Sequence, residues 1–286
     1  MLDYHINGFR FDLMGLHSKE TMAEIYKELS AIDSNVLVYG EPWTGGTALT
    51  KNGSTKAISV NGKMGVGAFD DGFRNSIKGA EFGGFKAGQV QGKYLDDSIV
   101  KGLLGSSGTD DERNPYFETK PGLSIHYVEC HDNYTLYDKL VISQFDFKDI
   151  STDDQALKAL WKPFSDLNGA QKKAITSQNK LAAAFVFLAQ GTPFINGGQE
   201  FMRAKQGDHN SYQSSDKINR IIIDDYMDDA NIKSVYNVYK GLIAFRKEHR
   251  EAFGSNTNAE ATKLKDGITK YITGDFCVYF NATPNA

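Results

Sequence analysis

From Gly8 to Asp12 the residues alternate apolar and charged with period two, so a strand here turns Arg10 and Asp12 to one face and Phe9 and Phe11 to the other. Ser18 is placed to cap a helix whose apolar positions Met22, Ile25, Tyr26 and Leu29 recur at helical spacing. The β-branched run Val36-Leu37-Val38-Tyr39 predicts a short strand that stops at Gly40-Glu41-Pro42-Trp43, where proline cannot continue a ladder. Strand, helix, strand points to a parallel α/β sheet. From Thr44 to Gly67 the composition is that of a long loop, and Ala68 to Ile77 reads as another short strand and helix. The glycine-punctuated stretch up to Gly108 carries no clear period. Leu123 to Cys130 predicts a strand that delivers His131-Asp132-Asn133 at its end. A strong helix over Ala170 to Gln190, closed by Gly191, leads into a short strand Pro193 to Asn196. Val235 to His249 is amphipathic, with Val238, Leu242, Ile243 and Phe245 as its apolar stripe. After Lys263 the period returns to two, which suggests an all-β unit and a division into residues 1–252 and 253–286.

A chain of 286 residues with 40% hydrophobic residues can bury a substantial core. Its net charge of −4, with lysines and arginines scattered, shows no footprint for nucleic acid or an anionic membrane. The strongest apolar run, Leu181 to Ala189, is far below the roughly 20 residues of a membrane span. Cys130 and Cys277 exclude a disulfide framework and are expected as buried thiols. None of this separates a cytoplasmic from a secreted protein.

Three of the expected strands end in carboxylates, Asp12, Glu41 and Asp132. In a β/α barrel the strand C-termini converge, so groups far apart in sequence share one pocket. Two carboxyl groups flanking a glycosidic bond suffice for its hydrolysis, one as acid and one as nucleophile or base. His126, Cys130 and His131 fit no zinc spacing, and no phosphate-binding glycine loop stands between a strand and a helix.

Gly8 to Gly15, Gly40 to Trp43 and Glu129 to Asn133 resemble, in order, conserved regions II, III and IV of the alpha-amylase superfamily (glycoside hydrolase family 13). The forms Phe11-Asp12-Leu13-Met14-Gly15 and Gly40-Glu41-Pro42-Trp43 resemble the type I pullulanases in particular. So does Asn210 to Asp216, after Gly197-Gly198-Gln199-Glu200-Phe201.

The resemblance implies part of a (β/α)8 TIM barrel, about five βα units, followed by the start of a C-terminal β-sandwich. It implies retaining hydrolysis of alpha-1,6 branch linkages in pullulan-, starch- or glycogen-type alpha-glucans, with no cofactor, no catalytic metal and no indicated structural calcium. Asp12 would be the nucleophile, Glu41 the acid/base and Asp132 the third catalytic carboxylate, with Arg10, Trp43, His131 and Asn133 binding substrate. Asn210, Tyr212 and Asp216 would add subsite contacts, although where the family runs through Ile-Asp-Trp this chain has Ile218-Asn219-Arg220 leading to Ile221-Ile222-Ile223-Asp224-Asp225-Tyr226. The first three βα units and region I have no counterpart, so an internal fragment with little activity alone is expected. The alternatives are isoamylase, glycogen debranching or alpha-1,4 activity on the same acids, or a glucan-binding fragment without turnover.

Overall fold

A computed structural model of the chain describes residues 1–43, 65–106, 121–150 and 152–283. Strand β1 (Gly8–Phe11), helix α1 (Lys19–Ile32) and strand β2 (Leu37–Gly40) form the first parallel unit, in register from Gly8↔Leu37 to Phe11↔Gly40. The Ser18 hydroxyl accepts the Thr21 N–H at 3.1 Å, a cap of about 1 kcal/mol. Helix α1 then lays Ile25, Tyr26, Leu29 and the fully buried Met22 against Met14, Val36, Val38 and Ala68.

The sheet continues through β3 (Gly67–Phe69), β4 (Ser124–His126) and β5 (Thr192–Pro193), all parallel and in the spatial order β1-β2-β3-β4-β5. Sequence order equals spatial order, with helices α2 (Asp71–Lys78), α3 (Asp96–Leu103), α4 (Leu136–Ile142) and α5 (Gly169–Leu188) between strands. That is the connection of a β/α barrel, and the sheet curls as a half-barrel. At the start of α2 the buried Asp70 accepts the Phe73 N–H at 2.9 Å, while its other oxygen takes the hydroxyls of Ser106 and Ser124.

Helix α6 (Ala230–Glu248) packs along α5, and Arg246 locks the pair by donating to the carbonyls of Phe187 (2.6 Å), Ala189 (2.9 Å) and Gly191. These are carbonyls at and just beyond the end of α5, where backbone acceptors lack helical partners. Strands β6 (Glu260–Lys265), β7 (Ile268–Thr273) and β8 (Phe276–Asn281) form a separate antiparallel sheet. Its inward residues Tyr271 and Phe280 join the main core, where Phe280 stacks on Phe185 at 4.5 Å.

Several sequence expectations are corrected. The strand expected to reach Cys130 stops at His126, because β3 on one side ends at Phe69, where Asp70 turns the chain into α2, and β5 on the other gives its last bond from the Phe194 N–H to the His126 carbonyl at 2.8 Å. The strand expected over Pro193 to Asn196 shrinks to Thr192–Pro193, since β4 offers no partner beyond His126. Gly67 belongs to β3 and not to a loop: a Cβ there would lie 2.8 Å from the Leu123 carbonyl oxygen, so only glycine admits this approach. The expected loop over residues 44–64 lies outside the described residues. Helix α3 has no long period to announce it, yet Ile99 and Leu103 are fully buried. Helix α6 starts at Ala230, capped by Asp229, and its buried stripe is Ile232, Val235 and Tyr239 with Leu242 and Phe245 beside it; Ile243 is exposed. Cys277 is exposed on β8. No helix among the described residues is long and apolar enough to cross a membrane.

Candidate active site

The β1–β2 register makes Asp12 and Glu41 the next pair beyond Phe11↔Gly40, two carboxylates at the ends of adjacent strands. Gly40 permits this: a Cβ would meet the Phe11 carbonyl oxygen at 2.6 Å and the Met14 Cβ at 2.8 Å. Beyond β1 the chain turns through Leu13, whose left-handed φ of 42° costs roughly 1–2 kcal/mol. That turn aims the Leu13 N–H at the Glu41 Oε2, 2.8 Å away.

Arg10 stands between the acids. Its Nη1 donates to Asp12 Oδ1 at 2.6 Å, and its Nη2 donates to Glu41 Oε1 and contacts His131 Nε2 at 3.2 Å. A guanidinium only donates, so the facing Nε2 is the acceptor and the ring proton sits on Nδ1, which lies 3.2 Å from Asp132 Oδ1. This tautomer is assigned from the network. Single ligating atoms of Asp12, Glu41 and His131 all lie within 4.8 Å of one another. These three could serve as metal donors, but the Arg10 guanidinium, itself a fixed cation, already contacts all of them.

The two acids differ sharply in environment. The Asp12 side chain is 64% exposed and that of Glu41 4%. Burial pushes the Glu41 carboxyl up, against the opposing pull of the Leu13 N–H and of Arg10, and the Asp12 charge adds to the rise.

The segment bearing His131, Asp132 and Asn133 follows β4 without a ladder of its own and is held by side chains instead. The buried Glu129 accepts the Leu136 N–H at 2.6 Å and the Asn196 amide at 3.1 Å, and burial lifts its pKa to about 7. Thr135 caps α4 through the Asp138 N–H, and Asn133 takes a left-handed φ of 62°. Lys205 donates from its ammonium to the His131 carbonyl at 3.0 Å, and its backbone N–H binds Asp138 Oδ2 at 2.8 Å.

Thus Arg10, Asp12, Glu41 and His131 converge, and Asp132 reaches them through the imidazole. Trp43 is half-buried against the cluster of Phe69, Ile125 and Tyr127, and Asn133 is half-buried in its turn. Tyr212 stands 74% exposed, and Asp216 opens a four-residue helix. Sequence reasoning passed over Leu13, Glu129, Asp138 and Lys205. Leu13 and Glu129 lie within recognised motifs, but Asp138 and Lys205 act through contacts that no local pattern encodes.

No protein-family model matches the chain. It is 32% identical over 278 residues to a pullulanase of Bacillus subtilis (strain 168), an alignment covering 94% of this chain and 34% of that protein. An isoamylase of Pseudomonas amyloderamosa is 26% identical over 287 residues, covering 85% of this chain and 34% of the isoamylase. Among solved structures, a pullulanase from Paenibacillus barengoltzii, in complex with maltohexaose and alpha-cyclodextrin, superposes with a TM-score of 0.76 at 31% identity, covering 98% of this chain and 42% of that one. The chain therefore spans about a third of the curated pullulanase and isoamylase named here. Over nearly all of its own length, in sequence and in fold, this chain is a homologue of one portion of the pullulanases.

Proposed function

We propose that this site hydrolyses alpha-1,6 branch linkages of alpha-glucans with retention of configuration. Asp12 attacks the anomeric carbon while Glu41 protonates the departing 6-oxygen; Glu41 then takes a proton from water, which releases the sugar from Asp12. The observation that carries this reading is the pairing of an exposed Asp12 with a buried Glu41 whose carboxyl oxygens come within 4.8 Å. Retaining enzymes hold their carboxyls about 5–5.5 Å apart, whereas inverting ones need roughly 6.5–9.5 Å to admit a water. The upward shift of Glu41 favours the protonated acid, as a proton donor requires. Arg10 keeps Asp12 beside a positive charge, and His131, oriented by Asp132, supports Arg10.

The carboxylates do not encode linkage, and similarity to both a pullulanase and an isoamylase leaves it to product analysis. Pullulan is the discriminating substrate, since maltotriose reports 1,6 cleavage and panose or isopanose reports 1,4 cleavage. A fluorinated glucosyl fluoride that forms but does not release the ester reads the nucleophile even where turnover by this chain is slow. Mass spectrometry is expected to find the added hexosyl mass on the Asp12 peptide and to lose it in Asp12→Asn. Label on another residue, or none together with intact pullulan, overturns the assignment.

A further inference from the structure

A cavity of about 410 Å³ opens beside the segment that follows β5, and it shares no residue with the Arg10, Asp12, Glu41 and His131 cluster. Four aromatic rings wall it, those of Tyr137, Trp161, Phe164 and Tyr226, while Lys217, Arg220 and Asp229 lie at its polar edge. The volume falls in the range of small-ligand pockets, about 300–1,000 Å³. A purely apolar occupant would cover the rings and gain nothing from the exposed Lys217 and Arg220 at the opening. A strongly ionic one would meet cations and a carboxylate together, in an otherwise aromatic enclosure. A sugar satisfies both requirements, since the C–H face of a hexose packs on a ring while its hydroxyls bond ionised groups at the rim.

We propose that this cavity is a second carbohydrate site that takes one or two glucosyl units of an alpha-glucan. The pocket's chemistry asks for a hexose; the choice of alpha-glucan rests on the hydrolase reading above. Such a site holds a polysaccharide strand near the acids without taking part in bond cleavage. A short chain of contacts joins them: Tyr137 adjoins Asp138, whose carboxylate accepts the Lys205 backbone N–H, and the Lys205 ammonium donates to the His131 carbonyl.

The chain has only two tryptophans, Trp43 and Trp161, so Trp43→Phe leaves Trp161 as the sole indole reporter. Titration of that variant with maltotriose is expected to give a saturable change in emission. Adding Phe164→Ala, which strips one wall, weakens the response about tenfold, equivalent to one stacking contact of ~1.4 kcal/mol. Lys217→Ala, on the exposed rim, repeats the test without touching the core. No saturable change in Trp43→Phe overturns the proposal. So does a response untouched by both further changes, which would be transmitted from the acid pair. The hydrolase reading is tested separately, in the unmutated chain: a Trp161 response with neither Asp12 label nor pullulan cleavage leaves this site standing while the hydrolase reading falls, and label or cleavage without a response does the reverse.

Discussion

Lys205 places its ammonium 3.0 Å from the carbonyl oxygen of His131, 74 residues away in sequence, and so fixes the backbone of the residue that backs Arg10. Lys205→Met retains the stem and removes the donor. It leaves the carbonyl unpaired and the nearby Asp138 and Glu129 without their cation, at a cost of about 2–3 kcal/mol. Urea unfolding measures that loss. The His131 ring resonances should also shift, whereas a change confined to global stability would leave them in place.

Arg10→Lys preserves the charge and abolishes the fork that reaches Asp12, Glu41 and His131 together. Glycosyl-ester formation on Asp12 is expected to slow at least about tenfold, as one lost charged hydrogen bond in the transition state implies. Single-turnover trapping checks this, and an unchanged rate removes Arg10 from the mechanism.

Asp70 is fully buried, and desolvation raises its pKa from 3.8 to about 6, although the Ser106 hydroxyl and the Phe73 N–H pull it down. Between those values the folded state holds a proton that the unfolded state has released, so stability falls as pH rises from about 3.8 to 6 and is level above. Asp70→Asn keeps the acceptor for Phe73 and lets the serine hydroxyls turn to accept. The variant should lack that slope, worth on the order of 3 kcal/mol, in unfolding curves recorded across the window.

Arg246→Met strips one donor group from three carbonyls at and beyond the end of α5. We expect a loss of about 2–4 kcal/mol, read as a lowered unfolding midpoint. Hydrogen exchange should quicken at the α5–α6 contact before it does at the β1–β2 pair.

The order of elements was legible because β1, α1, β2, α5 and α6 carry strong periods, and Asp12 and Glu41 stood out because each directly follows a strand, whereas Asp132 lies on the segment beyond β4. What escaped the sequence was decided by partners. The ladder of β4 ends where β3 and β5 run out on either side, a fact about its neighbours and not about residues 127–130. Ile243 looked like core from its spacing but faces outward, because α6 meets α5 along Ile232, Val235 and Tyr239. Within the site, Arg10 could be placed beside Asp12 by strand alternation alone. Its simultaneous hold on Glu41 and His131 required strand β1, the end of β2 and the segment beyond β4 to be brought together.

The alignment of β1 with β2 has a consequence for how such a site can diversify. Adjacent strands lie about 4.8 Å apart, which is nearly the spacing a double-displacement reaction wants between its two acids. On the hydrolase reading proposed above, the main-chain ladder works as the ruler for the chemistry, and surrounding loops can be rewritten without altering the stereochemical outcome. A single inserted residue before Glu41 would turn its side chain away from Asp12, a far larger change than any loop substitution could produce.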